Sequence, residues 1–220
     1  MSDPTPLRCA ILIDFDNVVS GLRDGAGAEI AIRFAERPQL WLDRLMGDAP
    51  RRVLLRRCYM NPAGYVEESE GGPRRYYNTF RWAFQAAVFE VMDCPRLTRM
   101  KNAADLRIAL DAMDLIAWPT ARIDEFTLLS TDSDFVPLLL RLRAADRLTR
   151  LVAHPEVGRV VQAAADQHIG LDLVAEWLGW QAPDAQAFKW ERTAAGNTVY
   201  SAHYLLDRTR GRTPADSHNH

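Results

Sequence analysis

Short apolar runs alternate with segments of helical spacing along most of the chain. Residues 8–13 form an apolar run ending at Asp14, the pattern of a strand buried on both faces. Residues 28–46 carry helical spacing, are interrupted at Pro38 and stop at Gly47. Residues 52–59 predict a second strand. Residues 61–73 hold proline, three glycines and acids, and predict a loop. A helix over 74–87 and a third strand over 88–92 follow. Residues 103–118 predict a long helix with Leu106, Ala109, Leu110, Met113 and Ile116 or Ala117 on its buried face. Residues 125–130 and 148–153 read as further strands, and 134–145 and 157–167 as helices. Strands alternating with helices predict an α/β domain: a parallel sheet with helices on both faces.

The pattern weakens after Trp180. Residues 188–192 and 198–201 flank Ala-Ala-Gly-Asn and predict a hairpin, and from Arg208 the chain is polar and expected to be disordered. The chain is thus read as one domain over residues 1–179 and a C-terminal extension over 180–220. Trp180, Trp190, Tyr200 and Tyr204 have two open readings, a cover for the sheet edge or a homodimer contact.

Composition narrows the class. At 220 residues, with 48% hydrophobic and 25% charged positions, the chain can bury a core without staples. A net charge of -2 advertises no global field for nucleic acid, so any such contact must be local. Cys9, Cys58 and Cys94 are odd in number, widely spaced and set in apolar stretches. They predict reduced core thiols and a cytoplasmic protein. The polar start at residues 1–7 is not a signal peptide, and no apolar run approaches the roughly 20 residues that span a bilayer. Lys101 and Lys189 are the only lysines.

The candidate chemistry is acidic. Asp14 and Asp16 follow the first strand, Asp132 and Asp134 follow the fourth, and Asp105 opens the long helix. Parallel sheets bind ligands outside the carboxyl ends of their strands. If the first and fourth strands are neighbours, these acids share one crevice. Two carboxylates about 4 Å apart at an effective dielectric near 20 repel by about 4 kcal/mol. Protonation or a hard divalent cation, Mg²⁺ or Mn²⁺, relieves that repulsion. Such an ion suits phosphodiester hydrolysis and needs no nucleophilic side chain. Each acid also has an ordinary reading. Asp14 can start a turn, one member of Ser130-Thr-Asp-Ser-Asp134 can cap a helix, and Asp105 can serve a helix dipole. Asp111 and Asp114 read as solvated helix face.

Ile11-Leu-Ile-Asp-Phe-Asp-Asn17, Lys101-Asn-Ala-Ala-Asp105 and Leu128-Leu-Ser-Thr-Asp-Ser-Asp-Phe135 together resemble the NYN family of PIN-like nucleases. Gln162-Ala-Ala-Ala-Asp166 fits its closing segment. The resemblance spans residues 8–173. It implies a Rossmann-like sheet and metal-dependent ribonuclease activity with Mg²⁺ or Mn²⁺. By position, Asp14, Asp105 and Asp132 match the family's metal-binding acids and Asp134 a fourth acidic position. Asp16 stands where many relatives carry glutamate. Asn17 is expected to orient Asp14 or a water, and Lys101 to contact a phosphate or pin the carboxylates. Ser130 and Arg99 join the expected supporting residues. One departure is Ala144-Ala-Asp-Arg147, where relatives often carry glycine before the fifth strand.

The expected partner is RNA, single-stranded or structured. Arg51, Arg52, Arg56 and Arg57, then Arg74, Arg75 and Arg81 with Tyr76, Tyr77 and Trp82, then Arg96, Arg99 and Lys101 form candidate contact clusters. The last is preferred because it adjoins Asp105. Solvated arginines and core aromatics are the ordinary alternative. Two other functions compete. One is a non-catalytic PIN-like module that binds RNA or protein. The other is a phosphatase resembling the haloacid dehalogenases, with Asp14 and Asp16 as its acid pair, although its lysine should follow Ser130 or Thr131 and Lys101 precedes them.

Overall fold

The computed structural model describes residues 5–47, 49–69, 71–95, 103–118 and 120–181, and the strand pairs noted below. In chain order the elements are β1 (Leu7–Asp14), α1 (Phe15–Ala26), α2 (Ala28–Glu36), α3 (Pro38–Met46), β2 (Arg51–Met60), β3 (Tyr65–Glu67) and β4 (Arg74–Tyr76). A 3-10 turn, Tyr77–Phe80, leads into α4 (Arg81–Ala86) and β5 (Glu90–Asp93). Next come α5 (Ala104–Ile116), β6 (Glu125–Leu129), a second 3-10 turn (Ser133–Phe135) and α6 (Val136–Ala144). The domain closes with β7 (Leu148–Ala153), α7 (Arg159–Ala164), β8 (Gln167–Gly170) and α8 (Leu171–Trp177).

Six strands pair in parallel in the order β5-β2-β1-β6-β7-β8. The chain builds outward from β1 to β2 and β5, then returns to lay β6 on the other side of β1. The junction between β1 and β6 is therefore the topological switch point, where open sheets of this kind form their ligand crevice. The α/β expectation holds, including the adjacency of the first acidic strand to the later one.

Strand alternation divides the core. Ile11 and Ile13 of β1 face α1, α2, α3, α4 and α8, around Phe15, Phe34, Trp41 and Phe84. Ala10 and Leu12 face α5, α6 and α7, around Ile108, Phe126, Leu139 and Leu142. Trp41 stacks on Phe34 with centroids 4.7 Å apart, and its indole N–H donates to the Phe34 carbonyl at 3.1 Å. Arg37 separates α2 from α3, Pro38 opens α3, and Gly47, at φ 60°, ends it.

Several elements differ from expectation. Residues 15–26 form α1 despite Gly21 and Gly25. Gly21 is needed for packing, since a Cβ there would approach the Leu171 side chain to 3.0 Å. Residues 74–80, expected to be helical, pair as β4 with β3 and then make the 3-10 turn, so the expected loop contains a short strand. The expected third strand starts later, because Val88 turns at φ 62°. The helix over 157–167 is shortened to α7, and β8 takes residues 167–170.

The face of α5 is rotated from the expected one: Ala109, Met113 and Ile116 do pack against the core. Ala104, Ile108, Ala112 and Leu115 are buried, whereas Leu106 and Leu110 are 66% and 57% exposed. Both sets keep helical spacing, and the sheet selects the slimmer one, which lets the backbone approach β1 and β2.

Met1–Trp180 forms one compact unit and Gln181–His220 another. In the second, Glu191–Arg192 pairs antiparallel with Thr198–Val199. Trp180 packs against the core of the first unit. Trp190, Tyr200, Tyr204 and the segment from Arg208 lie outside the described residues, and with them most of the homodimer expectation.

Candidate active site

Four segments meet at the carboxyl end of the sheet. Asp14 is the last residue of β1 and caps α1, its Oδ1 accepting from the Asn17 amide at 3.4 Å. Asp16 lies in the first turn of α1 and accepts from the Asn61 amide beyond β2 at 3.0 Å. Asp105 lies in the first turn of α5. Asp132 caps the 3-10 turn after β6, accepting from the Asp134 amide at 2.8 Å. Capping and catalysis are compatible here, because each cap uses one carboxylate oxygen and helix N-termini favour negative charge.

The acids influence one another in a chain. Asp14 is 2% exposed. Burial, then the charges of Asp105 and Asp16, push its pKa up to about 8, against weaker opposition from the Asn17 amide and the Ser130 hydroxyl. Burial and then the charges of Asp132 and Asp134 raise the Asp105 pKa. Neither Asp14 nor Asp105 forms an ion pair with an arginine, lysine or histidine among the described residues.

Two small polar residues brace the crevice. The Ser130 hydroxyl donates to Asp14 Oδ2 at 3.3 Å and accepts from the Asp132 amide at 3.2 Å. Ser130 therefore links the ends of β1 and β6, an explicit use for a residue expected only to support the site. Asn17 bonds Asp14 through its amide, and its side chain makes a further link. Its Oδ1 accepts from the Thr131 amide at 2.7 Å and the Thr131 hydroxyl at 2.5 Å, so the side chain fastens α1 to the β6 loop. From the sequence Thr131 was named only as a motif hydroxyl of the phosphatase reading, and this bracing role was not foreseen.

Asp111 is not merely solvated. It accepts from the Tyr59 hydroxyl at 2.6 Å and pairs with Arg57 at 3.1 Å, tying α5 to β2. Asp166 accepts from the Thr149 amide and hydroxyl, both at 2.8 Å, and so anchors the start of β7. Arg96, Arg99 and Lys101 lie outside the described residues.

The other arginine clusters are largely engaged within the chain. Arg51 pairs with Glu125, and Arg57 with Glu90 and Asp111. Arg56 donates to the Ala87 carbonyl. Arg74 pairs with Glu67 and lies over the Tyr65 ring, Arg75 pairs with Glu36 and Glu68, and Arg81 pairs with Asp93. Tyr77 is buried against Phe15, while Tyr76 and Trp82 are exposed.

The NYN domain family matches residues 8–172, which cover the sheet and all five acids. The chain belongs to the NYN domain family. NYN domains are PIN-like nucleases, and those nucleases usually use divalent metals. A protein of unknown function from Vibrio parahaemolyticus shares the fold, at a TM-score of 0.56 and 19% identity over 77% of this chain and 96% of its own. No curated protein matches. No helix among the described residues is long and apolar enough to cross a membrane.

The side chains fit the kind of ion this family uses. Their donors are carboxylate oxygens, the ligands hard cations prefer. As the side chains lie, no group of three or more His, Cys, Asp or Glu among the described residues is close enough to hold an ion.

Proposed function

We propose that this NYN domain is a divalent-metal-dependent endoribonuclease that hydrolyses RNA phosphodiester bonds at the crevice between β1 and β6, in the cytoplasm. The observation that carries this reading is Asp14: almost wholly buried, under the repulsion of Asp105 and Asp16, and in no ion pair among the described residues. A purely structural carboxyl at that depth costs stability unless it is paired.

Asp14, Asp105 and Asp132 would hold Mg²⁺ or Mn²⁺, with Asp134 helping directly or through water. When bound, the ion would supply Lewis-acid polarisation of a phosphoryl oxygen, activation of water and charge stabilisation at the leaving oxygen. The chain's own part is to prepare that place. Ser130 aims the Asp14 carboxyl and fixes the Asp132 amide. Asn17 holds the Thr131 backbone, which keeps the β6 loop beside α1. Asp132 positions the Asp134 backbone through its cap. Lys101 and Arg99 remain the proposed phosphate contacts by motif position.

A second reading, a PIN-like module that binds RNA or protein without turnover, is supported by the absence, among the described residues, of three acids placed to hold an ion together. The phosphatase reading is weakened by the depth of Asp14, which a phosphate monoester would have to reach. Labelled single-stranded RNA incubated with the protein and Mn²⁺, beside Asp132→Asn and a chelator control, separates the first two. Cleavage abolished in both controls supports the nuclease. Mn²⁺ binding without cleavage supports the module.

A further inference from the structure

One side of α5 packs on the sheet and another is left bare. Leu106 and Leu110, one turn apart, are 66% and 57% exposed, and Trp118, just past the helix end, is 36% exposed. Arg107, Asp114 and Ala117 are exposed as well. At 3.6 residues per turn these six positions fall within about a third of the helix circumference, away from the buried Ala104, Ile108 and Ala112. A surface helix turns its leucines to the core and its charges to water. Here two leucines within reach of each other share the outer face, which marks it as more than a scattered exposure.

The charges on this face suit a copy of itself. Arg107 lies near the start of the face and Asp114 two turns later, with Leu110 between them. Neither makes an ion pair among the described residues, and Arg107 donates to the Asp93 carbonyl at 3.3 Å. That bond uses one of five guanidinium N–H groups. When two such helices cross antiparallel about a two-fold axis at Leu110, position 107 of one lies level with position 114 of the other. The axis keeps each flank of the face on its own side, so both Arg107–Asp114 pairs form at once. Each Leu106 then lies over the small Ala117 of the other copy. A parallel pairing would set arginine on arginine and aspartate on aspartate, and like charges repel. By the same helical spacing Asp105 stands on the far side of α5, outside this face.

We propose that the outer face of α5 is an isologous dimer interface. Its partner is a second copy of this chain, held antiparallel about Leu110 by two Arg107–Asp114 ion pairs. The inference goes beyond the ribonuclease reading and does not rest on it. A single helix pair buries less than the roughly 800 Å² per partner of a standard interface, so the dimer is weak, with a dissociation constant on the order of 10–100 µM.

The test is sedimentation equilibrium of the full chain in chelator at low salt, from about 1 to 500 µM. The wild type is expected to pass from monomer to dimer over that range. Leu110→Glu brings two carboxylates together at the axis and is expected to weaken the dimer about 100-fold. Its circular dichroism should match the wild type, because the position is exposed and glutamate suits a helix. Val160→Glu, at a position 73% exposed on α7, is expected to change nothing, which separates this face from general stickiness. Arg107→Glu and Asp114→Arg should each weaken the dimer about tenfold, and the double variant should recover it, because the exchange restores both pairs. A wild type that stays monomeric throughout overturns the proposal and leaves the face to this chain's own segments or to another protein. A dimer indifferent to Leu110→Glu also overturns it, as does a charge-exchanged double variant no better than either single one.

Discussion

The two ends of the sheet handle buried carboxylates in opposite ways. At the amino end, Glu125 is 3% exposed and is met by Arg51 at 2.8 and 3.0 Å, with Arg150 at 3.6 Å. Arg150 is itself buried, and it donates to the Leu45 carbonyl and the Gln167 side chain, both at 2.8 Å. Burial there lowers the Arg150 pKa against the attraction of Glu125, and raises the Cys9 thiol to about 12. At the carboxyl end, Asp14 is as deeply buried but meets a hydroxyl, an amide and two other acids. The same strands thus carry one carboxylate balanced inside the chain, Glu125, and another, Asp14, that makes no ion pair among the described residues. The first looks after folding. The second is the arrangement expected where the balancing cation comes from outside.

The largest effects should come from breaking the balanced end. Glu125→Gln leaves Arg51 and Arg150 without their counter-ion and is expected to cost about 3–5 kcal/mol in urea unfolding. At the other end, Asp132→Asn is expected to keep the fold and lower RNA cleavage about 10²–10³-fold, measured under single-turnover conditions. Unchanged cleavage would remove Asp132 from the mechanism.

Asp14→Asn should do what Glu125→Gln cannot, and stabilise the metal-free protein by on the order of 2 kcal/mol at pH 8 while abolishing cleavage. The sign follows from the raised pKa. Asp14 binds a proton more tightly in the folded state than in the unfolded chain, where its pKa is about 4. Its contribution is therefore complete below about pH 4 and is lost as pH rises through about 8. Denaturation of the metal-free wild type should show that decline, and Asp14→Asn should flatten it. A wild type whose stability rises over that window on Asp14's account would mean a compensating cation was already in place.

The smallest effect concerns the brace. Asn17→Ala removes the acceptor of the Thr131 amide and hydroxyl, and is expected to cost about 1 kcal/mol of stability. Its effect on cleavage should be larger than its effect on the fold, because the β6 loop carries Asp132.

Much of this contrast was legible before any coordinates. The apolar runs ending at Asp14 and Ser130 marked β1 and β6, and a parallel sheet brought their acids to one crevice. The balanced end was not legible. Arg51 looked like one of several arginines available to RNA, and only the register that sets Cys9 opposite Glu125 shows where its charge goes. The centre of the α5 face was missed for a different reason. Leu106 and Leu110 keep the same spacing as Ala104 and Ile108, and periodicity alone cannot choose which apolar stripe is buried most deeply. Glycines masked α1, since Gly21 weakens a helix in isolation and earns its place only through close packing on α8. Asn17 was recognised as a site residue, but its bond to Thr131 joins segments far apart in the chain.

The central claim is that the acids at the carboxyl end await a divalent cation. Calorimetric titration of Mn²⁺ into the full chain at pH 7, repeated in buffers of different ionisation enthalpy, tests it directly. The account predicts binding accompanied by proton release, with the release lost in Asp14→Asn and the affinity reduced in Asp132→Asn. An absence of Mn²⁺ binding, or binding indifferent to both substitutions, would contradict it.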